Sequence, residues 1–256
     1  MSILKTEAIV LRTHPYHESS SIVKLFTQKH GLATVIAKGA RRIKSPFRGN
    51  LETFNQIEVI YYYKSTRDIQ TLSSSELKRS FFKNIDDLEK LFIPYLIIEL
   101  VEKIPTSEDD AEPVYNLIVD TFSSMETHPE HAELCLIKFL IEFSQLHGYK
   151  VEIIKCKNCG KKLKIAYFDT KSGECYCEEC CYMVDDFIMI SEKMINLINS
   201  LSKYPVTKET KYESKSDEIK TIEFLLKWLF FNIDIKLELK SFKVFSMISK
   251  RIGEAK

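Results

Sequence analysis

No apolar run in this chain is long enough to span a bilayer. The longest, Leu91 to Ile98, is broken by Pro94. Met1 to Lys5 leads directly into strand-like alternation and not into a signal-peptide pattern, so a soluble, cytoplasmic protein is expected. Disulfides are rare in that reducing compartment. Six of the seven cysteines fall between Cys156 and Cys181, so a metal is the better reading of them. There is no phosphate-binding glycine loop, since Gly39 lacks the companions such a loop needs. No histidine follows His147, and the H-x-E and P-C-x-x-C pattern of a zinc deaminase is missing: Tyr176 precedes Cys177. His14 and His17 flank Pro15-Tyr16 in what reads as a surface loop. Internal repeats and low-complexity tracts are absent. Together these gaps argue against an enzyme.

Acidic residues are missing altogether from Ser19 to Leu51, and what fills that stretch is cationic. It holds Lys24, Lys29, Lys38, Arg41, Arg42, Lys44 and Arg48, the last five within eleven residues. Glycine, serine and proline mark Lys38 to Arg48 as a loop after a strand. Phosphate backbones attract such a patch at any sequence, mainly through counterion release. Lys24, Lys38, Arg41, Arg42, Lys44 and Arg48 are therefore the candidate nucleic-acid contacts. The net charge of +1 conceals segregation along the chain. Residues 1–80 hold thirteen Lys and Arg against six Asp and Glu; residues 81–149 hold four against fourteen. Residues 150–256 hold twenty against sixteen. Such asymmetry points to separate surfaces for separate partners.

Hydrophobic alternation in the first third predicts strands at Glu7–Arg12, Ser21–Thr27, Leu32–Lys38, Gln56–Tyr63 and Ile69–Leu72. Five short strands suit a small barrel of the OB type, with an SH3-like barrel as the competing assignment. From Ser75 the pattern turns helical, with Pro94 expected to kink or divide the first helix. Helices are expected over Val114–Met125 and Glu133–His147, the latter apolar nearly all round and ended by Gly148. Ser191 to Met194 reads as a capped helix start, Ser202 to Ser216 as a mobile link, and Ile219–Asn232 and Ser241–Ile252 as helices. The expected class is α+β: an OB-type barrel over 1–80 and a helical bundle over 81–149. A four-cysteine module over 150–190 is inserted there, and C-terminal helices over 191–256 pack on the bundle.

Cys156-Lys-Asn-Cys159-Gly160 is followed by Cys177-Glu-Glu-Cys180. Each C-x-x-C turn can aim two thiolates at one point, and two turns complete a tetrahedral site. This spacing predicts a structural zinc on Cys156, Cys159, Cys177 and Cys180. Cys175 could replace Cys177, and Cys181 lies close by. Four thiolates leave no vacancy for a catalytic water.

The order of parts resembles the bacterial RecO family of recombinational repair mediators. The match runs through Glu18, Ile22-Val23, Leu25-Phe26-Thr27 and Gly31 to Ala37-Lys38-Gly39-Ala40-Arg41-Arg42. It continues in Lys44 to Gly49, Leu51, Phe54, Tyr95-Leu96, Glu99-Leu100, Phe139-Leu140, Gly148-Tyr149 and the first cysteine pair. The resemblance implies an OB domain binding single- and double-stranded DNA, strand annealing, and binding to the tail of single-strand-binding protein. With RecR, it implies loading of RecA onto coated single strands. The extra Cys175 and Cys181 depart from the family's pattern.

The tail of that partner is acidic with an apolar end, and needs an apolar pocket rimmed by cations. Lys227, Lys236, Lys240, Lys243, Lys250 and Arg251 lie among Phe224, Trp228, Phe242 and Phe245. Lys240, Lys243, Trp228 and Phe242 are the candidate contacts; the competing reading makes the aromatics core and the lysines solvated. A protein-interaction adaptor with incidental nucleic-acid affinity is the alternative function.

Overall fold

Strand β1 spans Ser2–Tyr16, and Ala8 to Leu11 are buried on both of its faces. Ala8 and Val10 point into a core with Val23, Leu25, Val35, Ile57 and Val59. The computed structural model describes residues 2–83, 91–210, 214–234, 239–244 and 247. Strands β2 (Ser20–Thr27), β3 (Gly31–Ala37), β4 (Asn55–Tyr63) and β5 (Gln70–Ser80) follow, and the five close as a barrel in the order β1-β2-β3-β5-β4. The closing seam is narrow: β3 meets β5 in parallel only at Val35↔Gln70 and Ile36↔Thr71.

Residues 1–126 and 127–256 form two compact units. In the first, helix α1 (Phe92–Lys103) and helix α2, which begins at Ala111, accompany the barrel. The reason is aromatic. Phe54 follows the basic loop, and its ring lies 5.4 Å from Phe82, 4.8 Å from Tyr95 on α1 and 5.7 Å from Phe122 on α2. Tyr115 on α2 donates to the Glu7 carboxylate at 3.0 Å and accepts from Gln56, both on barrel strands.

In the second unit, helix α3 (Ala132–Leu146) packs against helix α5 (Lys215–Ile233) and helix α4 (Glu192–Leu201). Ser191 caps α4, its hydroxyl accepting from the Met194 N–H. Between α3 and α4 lies a second sheet, β7-β6-β8, made of β6 (Ala166–Asp169), β7 (Cys175–Tyr176) and β8 (Phe187–Ile190). Phe168 of β6 packs on Phe224 and Trp228 of α5, with centroids 5.2 and 5.5 Å apart. At Gly173, in the β6–β7 turn with φ +71°, an added Cβ would lie 2.2 Å from the Phe231 ring.

The class expected from the sequence therefore needs correction. The helices and the four-cysteine cluster are present among the described residues, but the helices divide between the two compact units. The Phe54 cluster claims α1 and α2 for the barrel, leaving α3 to the later helices. The cysteine segment carries its own three-stranded sheet, which no periodicity in so short a set of strands announced. The change to helix expected at Ser75 comes later, because 75–80 are still strand: β5 pairs with β4 through Asn55↔Ser80, with irregularities at Gln56/Ile57 and Ile60/Tyr61. Pro94 does not divide α1, because it falls in the first turn, where no N–H is needed. The link expected over Ser202–Ser216 ends early, since Ser214 already caps α5 by accepting from the Asp217 N–H. Of the helix expected over Ser241–Ile252, residues 240–244 are helical and most of the rest lies outside the described residues.

Candidate nucleic-acid interface and metal centre

The loop joining β3 to β4 carries the acid-free cations. It is a chain of turns and not an open arc. Gly39, at φ +73°, turns the backbone, and the Arg42 N–H bonds to its carbonyl at 3.1 Å. Ser45 N–H then bonds to the Arg42 carbonyl at 3.0 Å. Phe47 and Leu51 anchor the loop in the barrel core. Asn55 fastens it from below, donating to the carbonyls of Gly49 and Asn50. Arg41 fixes its near end to the β1–β2 turn: its N–H bonds to the Ser19 carbonyl at 2.9 Å and its guanidinium to the His17 carbonyl at 3.2 Å. Between these anchors Lys38, Arg41, Arg42, Lys44 and Arg48 are all exposed, and none of them forms an ion pair among the described residues. Ile43, between two of them, is 85% exposed.

Lys24 is placed differently from the other five. It stands on β2 and its ammonium meets Glu102 of α1 at 2.5 Å, while Arg12 of β1 meets the same carboxylate at 2.6 Å. Burial pushes the Glu102 carboxyl up, but Lys24 and Arg12 more than reverse this and hold it below its ordinary value of 4.5. Arg12 was not legible as a member of this trio, because ninety residues separate it from Glu102. Beside the trio, a cavity of about 580 Å³ opens at the β3–β5 seam, with Leu32, Thr34, Tyr61, Tyr63, Arg67 and Gln70 in its wall. Burial pushes the Tyr61 phenol up to about 12, so it stays a neutral donor there.

The thiols of Cys156, Cys159, Cys177 and Cys180 lie within 4.8 Å of one another. A zinc–sulfur bond of about 2.3 Å sets a tetrahedral sulfur–sulfur edge of about 3.8 Å. The Cys159 and Cys177 sulfurs stand 3.7 Å apart, so the thiols fit such an ion. Gly160, at φ +71°, lets its N–H bond back to the Cys156 carbonyl at 2.9 Å, forming the first turn. Cys180 N–H bonds to the Cys177 carbonyl at 3.0 Å, forming the second. Burial opposes ionisation at Cys156, yet the N–H groups of Cys159, Cys177 and Asn158 hold its thiol down to about 6. Cys175 and Cys181 stand outside the cluster. Cys175 is buried on β7, opposite Phe168, and burial pushes its thiol up to about 12. Cys181 donates to the Glu178 carbonyl at 3.1 Å.

Trp228 is part of the packing on Phe168 and Phe224. Lys240 and Lys243 are exposed and Phe242 is half-buried, while Lys236, Phe245, Lys250 and Arg251 lie outside the described residues. His14 and His17 are exposed, with His17 set edge-on to Tyr16. No helix among the described residues is long and apolar enough to cross a membrane.

The described residues thus combine a barrel whose cationic loop forms no ion pair with a four-thiol module in one chain. Comparison with known sequences gives the family. The family described as recombination protein O, N terminal, matches residues 1–81, and its C-terminal counterpart matches residues 85–237. The DNA repair protein RecO of Alkaliphilus metalliredigens is 29% identical over 201 residues, covering 78% of this chain and 80% of the relative. That of Exiguobacterium sp. is 27% identical over 220 residues, 85% of each chain. That of Salinibacter ruber is 41% identical over 118 residues, 46% of this chain and 45% of the relative. The chain belongs to the recombination protein O family. Membership carries the family's role, that of a non-enzymatic recombination mediator in DNA repair.

Proposed function

We propose that this chain binds DNA through the β3–β4 loop, with Lys38, Arg41, Arg42, Lys44 and Arg48 contacting phosphates. The observation that carries this reading is that all five are exposed and form no ion pair among the described residues, on a loop anchored at Arg41, Phe47, Leu51 and Asn55. A loop held at both ends presents its charges without a large ordering cost on binding. Single- and double-stranded DNA both offer the required phosphates, and annealing of strands is the activity the family resemblance adds. The four thiols hold one zinc ion, which staples the module and supplies no reactive position. Titrating a labelled oligonucleotide at two salt concentrations tests the DNA reading, which requires binding that weakens steeply with salt. No binding at low salt favours the adaptor alternative.

Lys24 joins this surface only if Glu102 lets it go. Glu102→Gln is expected to free Lys24 and Arg12 for phosphate. The plot of log affinity against log salt then steepens by up to about 1.4 for single strands. An unchanged slope would remove both cations from the interface. The same change has a stability signature. Because the folded pKa of Glu102 is lowered, its stabilisation is complete above its ordinary value of 4.5 and is lost as pH falls through the folded value. Wild type should therefore lose part of its stability margin over the glutamine variant on acidification.

RecR and the tail of single-strand-binding protein are the protein partners this reading includes. For the acidic tail, exposed Lys240 and Lys243 beside half-buried Phe242 remain the candidate surface, with half-buried Trp228 packed on Phe168 and Phe224. A fluorescent acidic tail peptide should bind a Lys240→Glu, Lys243→Glu variant more weakly than wild type; equal affinity would exclude this surface.

A further inference from the structure

The first cysteine turn sits in a second acid-free cationic segment, Lys155, Lys157, Lys161, Lys162 and Lys164, five lysines in ten residues. All five are exposed. Two of them are neutralised by the arm bearing the second turn: Lys157 meets Glu174 and Lys161 meets Glu179, each at 2.7 Å. Lys155, Lys162 and Lys164 form no ion pair among the described residues.

Their placement is costly unless something anionic comes. Lys155 and Lys162 are direct partners in an antiparallel bridge, which puts both ammonium stems on one face of the hairpin. Like charges directly opposite each other destabilise a strand pair. Neither is given a carboxylate, although their neighbours are. Lys162 and Lys164 also border a groove of about 270 Å³ against α4, where Asn196 and Asn199 supply amides and Glu192 one carboxylate. Ile153, Leu163 and Ile195 line it too, and no aromatic ring is in its wall, so the groove suits backbone contact and not base stacking.

We infer that Lys155, Lys162 and Lys164 form a second phosphate-contacting surface, which takes a nucleic-acid strand other than the one on the barrel loop. This deepens the proposed function and rests on it. A chain with two such surfaces can hold two strands at once, the condition that annealing sets.

The test uses the full zinc-loaded chain. One unlabelled oligonucleotide is immobilised, protein is bound to it, and capture of a labelled, non-complementary second oligonucleotide is measured at low salt. The K155A/K162A/K164A variant should keep its zinc and its binding to the first strand. Its capture of the second strand should fall to about a tenth or less, as three phosphate contacts are lost. The corresponding triple arginine variant keeps the charge and should capture like wild type. Capture by the alanine variant equal to wild type, or loss of capture in the arginine variant as well, would overturn the inference. Titration of one oligonucleotide separates it from the barrel reading. If Arg41→Ala, Arg42→Ala binds like wild type and the hairpin variant binds weakly, the barrel reading fails and the hairpin stands as the nucleic-acid surface.

Discussion

Cys177→Ser is expected to strip the protein of its metal and unfold the segment around it. Purified wild type should carry one zinc per chain, and the variant close to none. The four thiols come from two turns, around Cys156 and Cys177, that an ion would bind together. Binding energy in such a site is folding energy, on the order of 10 kcal/mol in isolated zinc modules at neutral pH. Hydrogen exchange should therefore accelerate across residues 150–190 in the variant or under a chelator. The barrel should keep its protection, because its core is built from residues of the other compact unit. Two neighbouring cysteines make the experiment discriminating. Cys181→Ser should retain zinc, since that thiol is engaged with the Glu178 carbonyl outside the cluster. Cys175→Ser should retain zinc as well, yet lose about 1–3 kcal/mol by burying a hydroxyl where an apolar thiol sat. If Cys175→Ser loses the metal while Cys177→Ser keeps it, the ligand set is wrong.

The choice between Cys175 and Cys177 shows how far the sequence reaches. Spacing favoured Cys177, which keeps the two-residue gap to Cys180, but did not exclude Cys175, because a C-x-x-C gap says nothing about which side of the chain a thiol faces. The facing is decided by β7, where Cys175 pairs with Phe168 and turns inward with it. That strand is two residues long, too short for any alternation to be read. Strand β5 was read only as far as Leu72 for a related reason. In Thr71 to Ser80 only Leu72 and Leu77 are apolar, so backbone pairing with β4 holds it and no hydrophobic pattern marks it. The basic loop was legible because charge is a local property of sequence. The neutralisation of Lys24 was not, because Glu102 reaches it from a helix seventy-eight residues away. The partition of the helices rests likewise on Phe54, whose ring contacts with Tyr95 and Phe122 join distant segments.

Replacing Arg41 and Arg42 by alanine should weaken DNA binding at every sequence alike. Phosphate contacts position a strand but read no bases, so loss of affinity without loss of preference is their signature. Each contact removed should flatten the plot of log affinity against log salt by about 0.7 for single strands, hence about 1.4 for the pair. The two arginines are not equivalent. Arg42 is exposed and its side chain has no hydrogen-bond or ion-pair partner among the described residues, so Arg42→Ala should act on DNA alone. Arg41 also donates to the His17 carbonyl at 3.2 Å, while its backbone N–H holds the Ser19 carbonyl at 2.9 Å. The backbone bond survives substitution and the guanidinium bond does not. Arg41→Ala should thus loosen the loop's near end as well as remove a charge, whereas Arg41→Lys keeps the charge and loses the tie. If binding follows charge, lysine at position 41 restores the slope; if it follows loop position, lysine behaves like alanine. Affinity and slope unchanged in the double alanine variant, with the fold intact, would move the DNA interface off this loop altogether.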